Sequence, residues 1–114
     1  MTDAEILTFD EHLVLACILS SPRETAWELA GLAPDHFRPG PCREVASALC
    51  ELRDQVGARF RWRHVVRHLR EAGCRRESAF ARALYWGVGT HLGMTESMSR
   101  LYRARALRSA RRSA

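Results

Sequence analysis

The chain has 114 residues, 46% of them apolar, which is enough to bury the core of one domain without disulfides or a metal. Its formal net charge is +5, and all 18 basic residues are arginine. A basic surface favours nucleic acid or an acidic protein as a partner, and the absence of lysine excludes a lysine-containing phosphate loop. The four cysteines form no Cys-x-x-Cys pair, and we expect them to be reduced thiols. No apolar run is long enough for a membrane span, so we expect a cytoplasmic protein.

The most apolar stretch is Leu13–Leu19, which has seven consecutive apolar residues. A helix through such a stretch is hydrophobic on nearly all sides and belongs in the centre of a helical bundle. Asp10 is placed to cap the start of this helix, and Pro22 cannot continue it. The residues before Asp10 are then a frayed lead-in, with Phe9 packed against the helix start.

The next segment predicts a second helix followed by a turn-rich connector. Ser21–Glu24 places serine as the N-cap, proline at the first helical position and glutamate three residues after the cap. Gly31 is the expected end of this helix. Prolines and a glycine then interrupt regular structure over residues 34–41, where we expect Phe37 to plug into the core.

Apolar positions at helical spacing predict four more helices. Their predicted core residues are Val45, Ala48, Leu49, Leu52 and Val56 in residues 41–57; Val65, Val66 and Leu69 in residues 61–72; Phe80, Ala83, Leu84 and Val88 in a fifth helix; and Met94, Met98, Leu101 and Tyr102 around a sixth that begins near Thr95. The fold class is therefore predicted to be all-α: a single orthogonal bundle of about six short helices over residues 9–110, with flexible ends at 1–8 and 111–114.

Candidate catalytic and ligand-binding motifs are incomplete. His64 and His68 have the four-residue spacing of two metal-binding imidazoles, but no third ligand accompanies them, and surface histidines explain the pair equally well. The glycines of residues 87–93 resemble a phosphate-binding loop only superficially, because no strand precedes them, so we expect a connector between helices. No nucleophile motif is recognisable, and we predict no enzymatic activity, no metal and no cofactor.

Two clusters of arginine occupy the second half of the chain. The first surrounds Trp62 and consists of Arg59, Arg61, Arg63, Arg67, Arg70, Arg75 and Arg76, and the second consists of Arg100, Arg103, Arg105, Arg108, Arg111 and Arg112. Arginines interleaved with an aromatic residue can contact phosphates, although solvated helix faces explain the same pattern. The possible nucleic-acid contacts are Arg61, Arg63, Arg67, Arg70, Arg103 and Arg108.

A short apolar stripe on the last predicted helix is the other candidate surface. It consists of Met98, Leu101 and Tyr102 and fades into arginines towards the C-terminus. Such a stripe commonly closes the core of a bundle. Near a chain end it can instead dock on a partner protein.

Five segments follow one another in an order known from one protein family. They are Glu11–Leu19 with Ser21-Pro22 after it, Leu32–Phe37, Pro41–Gly57, Trp62–Gly73 and Leu101–Arg108. Together they resemble the N-terminal domain of DnaB-type replicative DNA helicases over roughly residues 9–108. The chain departs from that family where residues 87–94 replace a segment usually rich in Asn, Pro and Ala. It also ends where the second helix of the C-terminal hairpin should begin, and it contains no ATPase domain.

The resemblance implies a non-enzymatic protein–protein interaction domain of DNA replication. In such helicases this domain self-associates into a collar and receives primase, and the helicase-binding domain of bacterial primases has a similar fold. The implied contact residues are Met98, Leu101, Tyr102 and Arg105 on the last helix. The alternative is a small DNA-binding protein that uses the arginine-rich helix 61–72 and the basic C-terminal tail.

Overall fold

The computed structural model describes residues 2–87 and 94–113, and every regular element in this part of the chain is helical. The elements are α1 (Asp3–Ser20), α2 (Ala26–Ala30), a short 3-10 helix (Pro34–His36), α3 (Pro41–Val56), α4 (Trp62–Glu71), α5 (Arg75–Trp86) and α6 (Met94–Ser113). The predicted all-α fold class is confirmed. None of the helices in the described residues combines the length and apolar composition of a membrane span.

The central helix is α1, as predicted from its apolar run. It packs against α2, α3, α5 and α6, and Val14–Leu19 are at most 7% exposed. The helix begins at Asp3, earlier than predicted, because the Thr2 hydroxyl accepts a hydrogen bond from the Glu5 amide at 3.2 Å and caps it. The predicted cap and frayed lead-in are therefore wrong. Asp10 lies inside the helix and is fully buried.

The second helix is shorter than the sequence predicted. Ser21 does not cap a helix through Glu24; instead its carbonyl accepts hydrogen bonds from both the amide and the hydroxyl of Thr25, at 3.0 and 2.7 Å. This local bonding forms a turn over residues 22–25, and α2 starts only after it. Arg53 Nη1 then donates to the Leu29 carbonyl at 3.1 Å, which satisfies an acceptor near the end of α2.

The connector to α3 is anchored by Phe37, which is fully buried as predicted. Its carbonyl accepts a hydrogen bond from Arg43 Nε at 2.9 Å. Gly40 precedes the first helical proline and has φ 143, and Gly57 follows the last helical residue with φ 66. Both backbone conformations favour glycine, so the two ends of α3 are set by the sequence.

Some positions predicted to face the core do not. Phe9 is 56% exposed and Val56 is 46% exposed, and Ala83 is also exposed. Each belongs to a helix whose neighbours cover only part of its apolar stripe, so helical spacing alone overestimates the buried face. Val88 lies outside the described residues, as does most of the predicted glycine connector.

The last helix packs against α1 through a buried polar cluster as well as apolar side chains. The Asp10 carboxylate accepts hydrogen bonds from the Ser97 hydroxyl at 2.8 Å and from Arg100 Nε at 2.7 Å. Leu101 is fully buried beside this cluster, and Met98 is 5% exposed. A buried carboxylate that lies among donors on α6 fixes the position of this helix along α1.

Candidate nucleic-acid interface

The candidate interface is built on a hairpin of α4 and α5. The turn between them is closed by Gly73, with φ 82, and by hydrogen bonds from the Cys74 amide to the Leu69 carbonyl at 2.8 Å and from the Gly73 amide to the Arg70 carbonyl at 3.0 Å. The start of α4 therefore lies beside the end of α5. The inner side of this hairpin is anchored in the core by Val65, Val66, Leu69, Ala81 and Leu84.

The outer side of α4 carries a row of arginines. Arg63, Arg67 and Arg70 follow one another at four- and three-residue intervals, which places them on one helix face. All three are exposed, as is Arg61 just before the helix. Among residues 2–87 and 94–113, none of these four side chains has an ion-pair or hydrogen-bond partner. Their charges are therefore free to meet an anionic ligand.

The outer side of α5 carries a second row of exposed residues, of which only Arg75 was predicted from the sequence as part of an arginine cluster. Arg75, Ala79, Arg82 and Trp86 recur at intervals of four, three and four residues and are all exposed. The row is about 16 Å long at the rise of an α-helix. Arg82 and Trp86 share a helix face with Arg75, and this period is visible in the sequence.

Three aromatic rings cluster where the two helices meet. Trp62 and Tyr85 stack with ring centroids 4.5 Å apart and an interplanar angle of 16°. Trp86 contacts both rings edge to face, at 6.0 Å from Trp62 and 5.2 Å from Tyr85. Trp86 nevertheless remains 71% exposed. We call these three residues the aromatic cluster.

A groove of about 440 Å³ runs from the aromatic cluster towards the end of α1. Its arginine side is lined by Arg59, Arg61 and Arg63, next to Trp62 and Tyr85. Its opposite side is formed by residues 19–24, which contribute one further arginine and one glutamate. The groove thus combines a net positive charge with aromatic surface.

The C-terminal arginine cluster is used differently. Arg100 binds Asp10; Arg105 Nε binds the Asp35 carboxylate at 3.1 Å; and Arg108 Nη2 donates to the Asp35 carbonyl at 2.8 Å. These arginines hold α6 to α1 and to the 3-10 helix. Arg105 and Arg108, predicted as partner and nucleic-acid contacts, therefore already have partners within the fold, whereas Arg103 is exposed.

The predicted partner-binding stripe on α6 is largely internal. Met98 and Leu101 are core residues, and only Tyr102, at 41% exposure, presents much surface. The sequence could not separate the two outcomes because the same apolar period serves both. Beside Tyr102, a largely apolar groove of about 440 Å³ separates α6 from α2, where Trp27 is 87% exposed. The Tyr102 hydroxyl lies 3.1 Å from the position that a Cβ on Gly31 would occupy, so glycine leaves room for this ring.

The two histidines of α4 each have a partner within the fold. His68 pairs with Glu51 of α3, and His64 Nδ1 accepts a hydrogen bond from the Arg61 amide at 2.9 Å, which caps the helix. In the described residues no three metal-ligating side chains come together. Each imidazole therefore has a structural contact.

The cysteines most shielded from solvent are not activated nucleophiles. Burial raises the pKa of the thiols of Cys17 and Cys50, and it raises that of Cys42 to about 12. A thiol needs a lowered pKa to react as thiolate at neutral pH. These three side chains therefore behave as small core residues.

Comparisons with family models, with curated proteins and with solved structures find no significant match to this chain. The resemblance to the N-terminal domain of DnaB-type helicases consequently stays a prediction from sequence patterns. The features that bear on function are the charges, rings and grooves of α4, α5 and α6.

Proposed function

We propose that this chain is a non-enzymatic domain that binds nucleic acid through the outer side of the α4–α5 hairpin. The observation that carries the proposal is the row of exposed, unpartnered arginines next to the aromatic cluster. Guanidinium groups bind phosphate oxygens with paired hydrogen bonds, and clustered basic charge supplies most of the affinity for a polyanion. A merely solvated helix face has no need of exposed tryptophan beside its charges.

The proposal predicts strongly salt-dependent binding. Each neutralised phosphate contributes roughly 0.7 to 0.9 to the slope of log affinity against log salt, so four contacts give a slope of about −3. Affinity should then fall roughly 50-fold between about 50 and 200 mM salt. Fluorescence anisotropy with labelled single- and double-stranded oligonucleotides measures this slope directly.

Replacing the arginines of α4 tests which surface is responsible. The double variant Arg63→Gln, Arg67→Gln should make the slope shallower by about 1.5, because two phosphate contacts are lost. The matched control is Arg111→Gln, Arg112→Gln, which removes the same charge from exposed positions at the end of α6. An equal loss in both variants would reduce the effect to net charge and would contradict a specific interface.

A second candidate is protein–protein interaction in DNA replication, as the resemblance to helicase N-terminal domains implies. The observation that favours it is the apolar groove between α2 and α6, bordered by the exposed rings of Trp27 and Tyr102. An apolar groove of this kind suits a helix of a replicative helicase, a primase or a second copy of the chain, acting in the cytoplasm. Trp27→Asp should abolish such association in analytical ultracentrifugation while leaving oligonucleotide binding unchanged.

A further inference from the structure

We propose that the aromatic cluster makes this interface selective for single-stranded nucleic acid. An unpaired base stacks on Trp86, and the flanking phosphates lie against the arginines on either side of the cluster. The inference rests on the proposed nucleic-acid binding and adds the class of ligand to it.

The exposed position of Trp86 is the first argument. The plane of the Trp86 ring makes angles of 68° and 75° with the planes of the Trp62 and Tyr85 rings. Both neighbours therefore hold the orientation of the ring without covering most of it. With 71% of its surface exposed, the ring is oriented in advance for stacking. A fixed aromatic platform loses little conformational entropy when a base stacks on it.

The second argument is the distribution of charge around the cluster. On one side, Arg59, Arg61 and Arg63 line the groove that starts at Trp62. On the other side, Arg82 lies one helical turn from Trp86 on the exposed face of α5. A single strand carries phosphate on both sides of every base, so positive charge on both sides of the aromatic cluster matches its chemistry.

A duplex fits this arrangement less well. Its bases already stack on one another, and presenting one to Trp86 requires unstacking and unpairing. A duplex can therefore engage only the arginines, whereas an unpaired strand engages both the arginines and the rings. This difference gives the expected preference for single strands.

Trp27 supplies an internal contrast. It is 87% exposed, more than Trp86, but it lies beside Glu28 and in a groove whose lining contains no arginine. An aromatic ring without positive charge around it has no means of holding the phosphates of a strand. Removing Trp27 therefore matches the loss of an exposed indole without touching the proposed site.

The test compares Trp86→Ala with Trp27→Ala on three fluorescent probes: a dodecamer of deoxythymidine, a dodecamer of uridine and a blunt-ended DNA duplex. Trp86→Ala should bind the single-stranded probes about 5- to 150-fold more weakly than the natural protein does, because one base stack is lost. The affinity of Trp86→Ala for the duplex should stay within about twofold of that of the natural protein, and so should the affinity of Trp27→Ala for every probe. Trp86→Phe, which retains a ring, should recover most of the lost affinity.

The outcomes separate this inference from the proposed function. If the arginine variants lose binding but Trp86→Ala binds single strands like Trp27→Ala, the stacking inference is overturned and the arginine interface stands. If no probe binds at about 50 mM salt, both fail. Equal affinity for single strands and duplex in the natural protein also overturns the inference.

Circular dichroism provides the folding control. Trp86 is mostly exposed, so its replacement should leave the helical signal and the unfolding midpoint nearly unchanged. If Trp86→Ala proved less stable, Trp86→Phe would still test stacking, because it preserves most of the apolar contacts of the ring. Retained binding in Trp86→Phe together with loss in a folded Trp86→Ala supports the inference.

Discussion

The two arginine clusters look alike in the sequence, but in the described part of the structure three arginines of the second cluster bind other elements, whereas those of α4 and α5 do not. On α6, Arg100 and Arg105 meet carboxylates of other elements, so that their charge is part of the packing. On α4 and α5, the arginines project from the outer side of a hairpin and meet no acid in the described residues. Clustered charge therefore indicates a binding surface only where tertiary contacts leave the charged side chains unpartnered.

The physical cause is the position of the acids. Asp10 and Asp35 lie on α1 and on the 3-10 helix, and both segments face α6 in the folded chain. A buried carboxylate requires donors around it, and arginine of α6 supplies them to Asp10. Within residues 2–87 and 94–113, no acid forms an ion pair with Arg63, Arg67 or Arg70 of α4.

The substitution with the greatest predicted loss of stability tests whether α6 is part of the core. Leu101→Asp should cost more than about 4 kcal/mol of unfolding free energy, because it buries an unpaired charge. The matched control is Leu107→Asp on the same helix, where the side chain is 58% exposed and the change should stay within about 0.5 kcal/mol. Thermal unfolding followed by circular dichroism measures both, and a well-folded Leu101→Asp would contradict the packing of α6.

A smaller loss should follow when the ion pair that anchors α6 is removed. Asp10→Ala leaves the buried Ser97 hydroxyl without its acceptor and opens a cavity, at a cost of about 2–4 kcal/mol. Asp54→Ala is the control, because its pair with Arg53 is exposed and contributes less than about 1 kcal/mol. Urea unfolding compares the two, and equal losses would mean that the α6 cluster is no stronger than a surface pair.

The smallest effect concerns pH and the contact of His36 with α6. Burial lowers the pKa of His36, whose Nε2 lies 3.0 Å from Arg105 Nη1. The unfolded chain therefore takes up a proton below about pH 6.5 more readily than the folded chain does, and stability falls as pH falls through that window. His36→Asn, which keeps an acceptor for the Ala33 amide, should flatten this part of the curve.

His64→Asn is the control for that prediction. His64 accepts a hydrogen bond from the amide three residues before it, just as His36 does, but it is exposed. Urea unfolding at about pH 7.5 and 5 should separate His36→Asn from the natural protein, and His64→Asn shows what the loss of an exposed imidazole does by itself. Parallel curves for all three proteins would show that His36 does not contribute to the acid sensitivity of the fold.

Much of the helical framework could be predicted from local sequence. The apolar run of α1 predicted the central helix, and the predicted helical ranges 41–57 and 61–72 agree closely with the bounds of α3 and α4. Helix starts were harder, because Thr2 and Asp10 are equally good capping residues and only the surrounding hydrogen bonds distinguish them. Part of the candidate interface could be predicted from the sequence, namely the arginines of α4. The stack of Trp62 on Tyr85 could not, because it joins residues 23 positions apart.

Local sequence was sufficient to predict that this protein is helical, basic and built around α1. The signals involved are helix propensity, apolar periodicity and glycine at helix ends, and each of them acts over a few residues. The tertiary structure alone decided which arginines are partners of the core and which remain free. It also decided that Leu101 is buried and that Trp86 is exposed. Those outcomes depend on which surfaces meet across the bundle, and a local sequence pattern does not contain information about residues that are distant in the chain.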